Sequence, residues 1–523
     1  MDRTIASPEA LLALAAKGTL FSYWAGRNGD RPAILSRRGN RSFTELDANA
    51  NRLLHHLHSV GLRAGDGVAM VCGNIPEFVE TYLACQRGGL RLTPVNWHLT
   101  SSEAGYILSD CEARAWIIQG ELAEKFAAIP SAGVLTRLAT GPARGPFASY
   151  GEALGAQPSH ASTDPRLGSM MLYTSGTTGR SKGVLRRKPI ALAPQRGGTL
   201  CDYRDGDLNL LCGPAYHAGP LTFDLAFPIA SGIPILLMEK FDAAQVLAMI
   251  ERHRVTHTHM VATMFQRLLT LPPEVRDGAD LSSLRRVFHG AAPTPPDIKR
   301  RMIDWLGPIL YEYYGATEAS PGIGIASADW LRKPGSVGRL PDATRTRILD
   351  EAGQPCPPGT IGRVAFLHDP ATGPRYHNAP DKNGEVFGGA YYTVGDLGYV
   401  DDEGYLFLTG RSADVIISGG VNIYPQEVDD ALTAHPAVRQ ACTIGVPSLE
   451  WGEEVLSLVM VEDGTETGER LERELIAYLR ERLASFKLPR RIEFVADIAQ
   501  SETGKVLRGA MRAPYWATTG GAP

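Results

Sequence analysis

Long apolar runs and a secretion signal are both missing from this 523-residue sequence. No segment approaches the roughly 20 consecutive apolar residues that a membrane-spanning helix needs. Residues 1–16 lack the basic start, long apolar middle and cleavage site of a signal peptide. These absences predict a cytoplasmic protein without stable membrane insertion, and they leave transient contact with a membrane surface open.

Cysteine is also scarce, and neither sign of charge dominates. The seven cysteines are scattered and never form a C-x-x-C pair, which argues against a zinc site or a disulfide framework and fits a reducing compartment. With 53 basic and 57 acidic residues, the net charge of −4 provides no global field for nucleic acid. Nucleic acid is therefore not an expected partner, and a homodimer is left open.

Periodic apolar segments give the fold class. Strand-like runs alternate with helix-length amphipathic segments through most of the chain, as in 67–73, 76–88 and 90–95. This alternation predicts βαβ units with helices on both faces of largely parallel sheets. From about 337 to 410 the pattern changes to short alternating segments between glycine and proline turns, which predicts a small β-rich subdomain.

The last part of the chain has a compact pattern of its own, in which Leu471, Leu475, Leu479 and Leu483 recur at the spacing of a buried helix face. The predicted fold is α/β with three parts. A large N-terminal domain of βαβ-type sheets covers 1–411 and includes the β-rich subdomain, and a small, mobile α+β C-terminal domain covers 412–523.

The densest chemical signal is the segment 173–183, in which three glycines and several hydroxyl side chains surround one lysine. Backbone N–H groups and hydroxyls of such a loop can wrap an anion, while Lys182 adds a positive charge. It is not a Walker A loop, because glycine follows the lysine. Read alone, the segment is explained equally well as a flexible connector.

Further motifs follow in order along the chain, and together with this loop they resemble those of the adenylate-forming superfamily of acyl-CoA synthetases, luciferases and peptide-synthetase adenylation domains. They lie at 214–217, 290–293, 314–318, 333–338, 395–398, 410–411, 418–427, 451–453 and 503–508. Each motif is weak alone, but their shared order makes the resemblance specific.

The resemblance implies an ATP-dependent acid:CoA ligase. Such an enzyme joins a carboxylic acid to AMP, releases pyrophosphate, and transfers the acyl group to the thiol of CoA. It implies ATP, Mg²⁺ and CoA as cofactors and a carboxylic acid as substrate. Because the acid and ATP are both anions, cations and hydrogen-bond donors must bring them together in a site that excludes water.

The resemblance also implies four catalytic residues. Lys505 would be the adenylation lysine that bridges the reacting carboxylate and phosphate. Thr317 would contact the α-phosphate, and Glu318 would bind Mg²⁺, a hard ion suited to oxygen ligands. His217 would act as a gate and orienter beside the acyl carboxylate.

A larger set would bind the nucleotide and CoA by resemblance. The β- and γ-phosphate loop would comprise Thr174, Ser175, Gly176, Thr177, Thr178, Gly179 and Lys182. The adenine-side loop would comprise Gly290, Ala291 and Ala292, and Tyr313, Tyr314 and Gly315 lie in or beside the motif that contains Thr317. Asp396 would accept hydrogen bonds from the ribose hydroxyls close to Arg411, and Ser418, Gly419 and Gly420 would line a pantetheine tunnel.

Taken singly, these residues also fit ordinary structural roles. Glu318 suits the first turn of a helix and Asp396 suits a turn. Arg411 and Lys505 could be solvated surface charges, and His217 a buried core histidine. The whole set, in order, favours the functional interpretation over a catalytically silent nucleotide-binding homologue.

Family members carry out their two half-reactions by rotating the C-terminal domain, and the resemblance places the joint at 411–414. Lys505 would enter the site in one pose and the loop 418–422 in the other. Ala413 differs from the usual pivot residue, so the usual hydrogen bonding there is in doubt. Ser181 and Ala262 both replace common prolines, and residues 498–502 also depart from the family pattern.

The sequence indicates only the general character of the carboxylic acid substrate. The stretch 218–227 is small and apolar, with Val261, Met264, Phe265 and 288–292 as the predicted opposite wall. This lining predicts an apolar acid, either fatty or bulky and ring-bearing, and core packing explains the same residues equally well. Aryl-acid or amino-acid adenylation and luciferase-like oxidation remain alternatives, although no acidic group near His217 is placed to bind an amine.

Overall fold

The computed structural model describes residues 5–174, 181–319, 322–418, 421–448, 450–501 and 504–517. The chain divides into two compact units. The first consists of Met1–Met260, Leu271–Phe288 and His368–Ala390, and the second of Val261–Thr270, His289–Leu367 and Tyr391–Pro523. The predicted domain boundary at 411/412 is not tested by this division and stays a prediction.

The helices within the described ranges are mostly short. They are α1 (Pro8–Ala16), α2 (Leu20–Asn28), α3 (Phe43–Ser59), α4 (Pro76–Gly88), α5 (Ser101–Asp110), α6 (Ala123–Phe126), α7 (Tyr150–Gly155), α8 (Ala218–Pro220), α9 (Phe227–Ser231), α10 (Ala243–His253), α11 (Ala262–Leu269), α12 (Pro273–Arg276), α13 (Pro296–Leu306), α14 (Ser327–Arg332), α15 (Pro380–Phe387), α16 (Pro425–Thr433), α17 (Glu469–Arg480) and α18 (Arg508–Ala517).

The strands alternate with these helices in the first unit and with turns in the second. They are β1 (Pro32–Leu35), β2 (Arg41–Ser42), β3 (Gly67–Val71), β4 (Arg91–Pro94), β5 (Ala113–Ile118), β6 (Thr136–Ala139), β7 (Ala148–Ser149), β8 (Ser169–Thr174), β9 (Lys182–Arg186), β10 (Asn209–Leu211), β11 (Ile235–Leu237), β12 (His257–Met260), β13 (Arg286–His289), β14 (Leu310–Tyr314), β15 (Ile323–Ala326), β16 (Ser336–Arg339), β17 (Thr346–Leu349), β18 (Gly362–Leu367), β19 (Pro374–Tyr376), β20 (Tyr391–Val400), β21 (Tyr405–Arg411), β22 (Ile416–Ser418), β23 (Val421–Ile423), β24 (Val438–Ser448), β25 (Gly452–Val461) and β26 (Arg491–Phe494).

The first unit contains two largely parallel sheet regions. One has the strand order β19-β9-β8-β4-β3-β5-β6-β7, parallel from β8 to β7 and antiparallel at β8, β9 and β19. In the other, β12, β10, β11 and β1 run parallel, and β2 is antiparallel to β1. Every residue of β3 is buried, as expected for a parallel strand covered on both faces.

Local sequence signals explain where the helices of this unit begin and end. A capping box between Ser42 and Glu45 starts α3, and the same arrangement between Thr100 and Glu103 starts α5. Helix α4 begins with Pro76 and ends before Gly89, which adopts the left-handed conformation that glycine tolerates. These signals fix the lengths of the segments that connect the strands.

The second unit contains an antiparallel sheet of order β16-β21-β20-β18-β17, which corresponds to the predicted β-rich region. The segment His368–Ala390 leaves this sheet and clusters with the first unit. There, Pro374–Tyr376 pairs with β9 as an edge strand. The sequence pattern did not indicate this excursion, because strand pairing across such a separation leaves no local periodicity.

The C-terminal part of the second unit has the strand order β23-β22-β25-β24, with β26 parallel to β25. Leu471, Leu475 and Leu479 of α17 pack with α16 in one apolar cluster. Met511 and Tyr515 of α18 pack in a separate cluster with residues of β24 and β25. The predicted fold class is confirmed, while α18, which contains Pro514, was not foreseen.

Two further observations concern the cysteines and the apolar helices of the protein. All seven cysteines are free thiols, and six of them are buried. No helix in the described part of the chain combines the length and apolar character that crossing a bilayer requires.

Arg508, the first residue of α18, ties that helix to the rest of its module. Its guanidinium pairs with Asp429 of α16 at 2.6 Å and donates hydrogen bonds to the Thr443 carbonyl and to Gln426. The side chains of Arg508 and Asp429 are only 10% and 6% exposed. Burial disfavours the charge of Arg508, but the surrounding groups, Asp429 first among them, together raise the pKa of the guanidinium.

We expect Arg508→Met to destabilise the C-terminal module by about 3–5 kcal/mol, because the substitution leaves a buried carboxylate without its partner. Native-state hydrogen exchange of the β24 and β25 amides measures this loss. Arg470→Met is the control: Arg470 forms a highly exposed pair with Glu466, and its loss should cost about 0–1 kcal/mol. Equal effects of the two substitutions would contradict this account.

Candidate active site

The phosphate-loop motif connects two antiparallel strands of the first unit. Thr174 ends β8 and Lys182 begins β9, and these two residues are register partners. The Lys182 ammonium lies 5.4 Å from the centroid of the Tyr376 ring, a cation–π contact that orients the lysine. Ser175, Gly176, Thr177, Thr178 and Gly179 lie outside the described residues. Tyr376 was missed by sequence reasoning because it is distant in the chain.

His217 lies at the start of α8, also in the first unit, and its ring centroid is 4.8 Å from that of Tyr216. The preceding turn is held by the buried side chain of Asn74. Its amide donates to the Gly213 carbonyl, and its side-chain oxygen accepts from the Ala215 N–H at 3.0 Å. Asn74 therefore positions the segment that carries His217, and no motif in the sequence pointed to it.

A π-helix, Leu221–Ala226, follows α8 directly. Phe223 on this π-helix stacks on Phe288 with ring centroids 4.7 Å apart and lies edge-on to Phe227. Asp224 is fully buried and accepts a hydrogen bond from Asn209, and burial raises its pKa well above the usual range. Phe223 of the predicted apolar stretch thus belongs to a buried aromatic cluster, as core packing would also place it, and Asp224 is buried in the same unit.

In the second unit, the loop after β13 packs closely on β14. A Cβ atom added to Gly290 would lie 2.5 Å from the carbonyl oxygen of Tyr313 and 2.9 Å from its ring. Ala291 has a φ of 68°, a left-handed conformation that is unfavourable for a residue with a side chain. Ala292 is half-buried beside it. Strained backbone of this kind is common at ligand sites.

The segment after β14 forms a tight turn that carries two predicted catalytic residues. Ala316 and Ala319 exchange two backbone hydrogen bonds, so that Gly315 and the half-buried Thr317 lie at or beside this turn. Glu318 is only 9% exposed, and its backbone carbonyl accepts a hydrogen bond from the Tyr392 hydroxyl. Tyr392 lies on β20, four residues before Asp396.

Asp396 is the centre of a polar cluster in the second unit. The Tyr314 hydroxyl donates to one carboxylate oxygen at 2.7 Å, and Arg411 Nε lies 3.3 Å from the other. Asp396 and Arg411 are register partners on β20 and β21. Burial and then the Asp396 carboxylate raise the pKa of Tyr314, so its hydroxyl stays protonated and donates.

Lys505 lies on a hairpin close to this cluster. Burial and, after it, the charge of Arg411 lower the pKa of its ammonium to about 8, although Asp396 and Asp414 act in the opposite direction. Among the described residues, the Lys505 ammonium makes no hydrogen bond or ion pair. A buried lysine next to another cation is poised to accept an anion.

The predicted pivot and tunnel residues are only partly described. Ser412–Asp414 forms a single 3₁₀ turn between β21 and β22. Ser418 ends β22, where it pairs with Val421 and Gly452. Gly419 and Gly420 lie outside the described residues. Overall, Thr174, Lys182 and His217 belong to the first unit, and the remaining described site residues belong to the second.

Comparison with known proteins identifies the class. A family model described as AMP-binding enzyme matches residues 21–376, and one described as AMP-binding enzyme C-terminal domain matches 427–505. The chain therefore belongs to the AMP-binding enzymes of the adenylate-forming superfamily.

Named relatives narrow the class. A feruloyl-CoA synthase from Amycolatopsis sp is 33% identical over 90% of this chain and 93% of the relative. A fatty acid--[acyl-carrier-protein] ligase, ScoC, from Streptomyces coeruleorubidus is 31% identical over 95% of both chains. The structure of ATP-bound MatB from Rhodopseudomonas palustris is similar with a TM-score of 0.81 at 29% identity, covering 95% of this chain and 99% of that chain.

Accordingly, the chain is an acid–thiol ligase of the acyl-CoA synthetase type, which uses ATP and CoA as substrates and works through an acyl-AMP. This confirms the enzyme class predicted from the sequence. The comparisons do not test the roles of individual site residues.

We expect Gly290→Ala to weaken ATP binding by roughly tenfold, a loss of about 1.4 kcal/mol. The added methyl group must displace the Tyr313 backbone, which cannot move without distorting β14. Calorimetric titration with ATP in the absence of acid measures the effect. Gly26→Ala is the control, because nothing lies within 4 Å of its added Cβ. An unchanged ATP affinity for Gly290→Ala would contradict the expected role of this loop.

Proposed function

We propose that this ligase activates an apolar carboxylic acid, fatty or ring-bearing, by joining it to AMP at the Asp396 cluster and then transferring it to CoA. The arrangement of Tyr314, Asp396, Arg411 and the nearby Lys505 is the observation that supports this proposal most directly. It combines an anchored acceptor for ribose hydroxyls with cations for two reacting anions.

Asp396 binds the ribose in this proposal. An ionised carboxylate is acceptor-only and can take hydrogen bonds from two vicinal hydroxyls. Tyr314 and Arg411 each contact one of its oxygens, so the carboxylate is held in one orientation before ATP arrives. This preorganisation fixes the position of the sugar, and through it the position of the α-phosphate.

Lys505 supplies the positive charge for the first half-reaction. An oxygen of the substrate carboxylate attacks the α-phosphorus, a P–O bond forms, and the bond to pyrophosphate breaks. The Lys505 ammonium bridges the incoming carboxylate and the phosphate, which reduces their repulsion as they approach. The two anions replace the solvation that burial has removed from the lysine.

Thr317 and Glu318 act on the phosphate side. The Thr317 hydroxyl donates to the α-phosphate, and Glu318 offers a carboxylate next to it. No group of three or more His, Cys, Asp or Glu residues that could hold a metal occurs in the described ranges. One carboxylate together with phosphate oxygens suits Mg²⁺, which neutralises phosphate charge when bound.

Residues of the first unit have, in this proposal, the roles that the family resemblance implies for them. Lys182 and Thr174, with Ser175, Gly176, Thr177, Thr178 and Gly179 between them, bind the β- and γ-phosphates. His217 gates and orients the acyl carboxylate. The turn Ser412–Asp414 is the pivot about which the C-terminal module rotates, so that Ser418, Gly419 and Gly420 approach the thiol in the second half-reaction.

The apolar character of the acid is supported by the wall that follows His217. Phe223, Phe227 and Phe288 form a packed aromatic cluster in the first unit, in which Phe288 is fully buried. Aromatic walls stabilise apolar acyl groups by burial and favour rings through stacked or edge-on contacts. Nothing in this stretch offers an exposed carboxylate for a substrate amine, since the nearby Asp224 is buried and bonded to Asn209.

A panel of fatty, aryl and steroidal acids tests the proposal. We expect acid-dependent exchange of labelled pyrophosphate into ATP, and CoA-dependent release of AMP with the same acids. Exchange without CoA-dependent turnover would point to another adenylating branch of the superfamily. Absence of exchange across the whole panel would overturn the proposal in favour of a silent nucleotide-binding homologue.

The pKa of Lys505 predicts a pH dependence of adenylation. The ammonium is protonated below a pH of about 8 and becomes neutral above it, so kcat/KM for the acid in pyrophosphate exchange should fall as the pH rises through this value. Lys505→Arg keeps its charge in this range, and should be slower but without this decline. An identical decline in Lys505→Arg would exclude Lys505 as its source.

A further inference from the structure

Helix α11 approaches the C-terminal module at two points. Its apolar residues, including Phe265 and Leu268, are buried, whereas Thr263 and Gln266 are only half-buried. Residues three apart lie on the same side of a helix. Thr263 and Gln266 thus define one face, which we call the α11 docking face.

The first contact involves the glycine that precedes the candidate catalytic lysine. Gly504 has a φ of 74°, and a Cβ added to it would lie 2.4 Å from Oγ1 and 2.6 Å from Cγ2 of Thr263. The hairpin that carries Gly504 is closed by hydrogen bonds from the Ser501 N–H to the Lys505 carbonyl and from the Leu507 N–H to the Ala499 carbonyl. Only a residue without a side chain allows this hairpin to lie against the helix.

The second contact lies one helical turn further along. The side-chain amide of Gln266 donates a hydrogen bond to the backbone carbonyl of Arg439 at 3.3 Å. Arg439 is on β24, the long strand that pairs with β25 through the body of the module. The docking face therefore contacts both the tail hairpin and the central sheet of the module.

We infer that the α11 docking face holds the C-terminal module in the pose that places Lys505 beside Asp396, and that Thr263 and Gln266 are positioning residues for the first half-reaction. The role of this pose in adenylation rests on the proposed function, whereas the two contacts themselves are independent of it. Burial of the Lys505 ammonium without a partner is unfavourable, so other contacts must offset that cost. The two docking contacts do so without touching the reacting atoms.

Gly504→Ala tests the first contact. We expect at least a roughly tenfold loss of pyrophosphate exchange, with little change in thioester formation from supplied acyl-AMP and CoA, because only the first pose is obstructed. Gly464→Ala is the matched control: Gly464 also has a left-handed φ, of 83°, but nothing lies within 4 Å of its added Cβ. Equal losses in both half-reactions, or an equal loss in the control, would overturn the inference.

Thr263→Ala tests whether the obstruction is steric. It removes the Oγ1 and Cγ2 atoms that the added Cβ would meet, so the Gly504→Ala/Thr263→Ala pair should recover part of the lost exchange. A double variant as impaired as the sum of the single variants would contradict direct contact, because non-contacting residues act additively.

Gln266→Ala tests the second contact. It should slow pyrophosphate exchange by several-fold while sparing the thioester step, since one hydrogen bond is lost. Arg267→Ala, at an exposed position of the same helix, is its control and should slow neither step. A general loss of activity in Gln266→Ala that affects both steps would indicate a structural role only.

Cross-linking separates failure of this inference from failure of the proposed function. Cysteines are introduced by Gln266→Cys and Arg439→Cys and are joined by a short bismaleimide. The background variant Cys356→Ser removes the native thiol that is not fully buried. We expect a linked protein that retains exchange and loses thioester formation. A protein that exchanges pyrophosphate but cannot be linked would overturn the docking face, whereas one that links without any exchange would support the docking face and contradict the proposed function.

Discussion

The candidate site depends on how a single carboxylate, that of Asp396, is held. Its partner Arg411 is fixed opposite it by the register of two antiparallel strands, and Tyr314 donates to it from the strand β14. Backbone pairing therefore sets the separation of the Asp396 carboxylate from the Arg411 guanidinium. Tyr392 lies on the same strand as Asp396, and its hydroxyl donates a hydrogen bond to the backbone carbonyl of Glu318. The strand that carries Asp396 is thereby connected to the turn that carries Glu318.

The energetic state of Lys505 follows from this arrangement. An ammonium that is desolvated and close to Arg411 is less stable than one in water, which is why its pKa is lowered. Anionic reactants would relieve that cost, so the attraction for the developing charge is built in before the substrates bind. The apolar clusters around α17 and α18 give the module a core of its own, as the proposed rotation of the module would require.

Local signals predicted a good part of the fold. The helix-length segment at 76–88 and the strand-like run at 67–73 correspond to α4 and β3, because proline, glycine and strong apolar patterning mark their ends. The helix α18 was missed since Pro514 and a tail with little periodicity concealed it. The excursion of β19 was missed because it depends on a partner almost two hundred residues away.

The candidate site likewise contains residues that the sequence indicated and residues that it did not. Ordered motifs led to Lys182, Asp396 and Lys505, although by resemblance and not from spacing alone. Asn74 and Tyr376 could not be found in this way, because each acts through a contact with a residue distant in the chain. Such supporting residues have no local pattern, and only the folded chain brings them to the positions they stabilise.

The pairing of β19 with β9 has a consequence for how the chain matures. During synthesis, the first unit cannot complete its edge until residues beyond Tyr376 have left the ribosome, which is before β20 and β21 of the antiparallel sheet of the second unit have emerged. Until then β9, which begins with Lys182, exposes unpaired backbone groups of the kind that recruit other chains. Fragments cut shortly before His368 would carry that open edge permanently, so an isolated N-terminal piece needs the segment through Ala390 to remain monomeric.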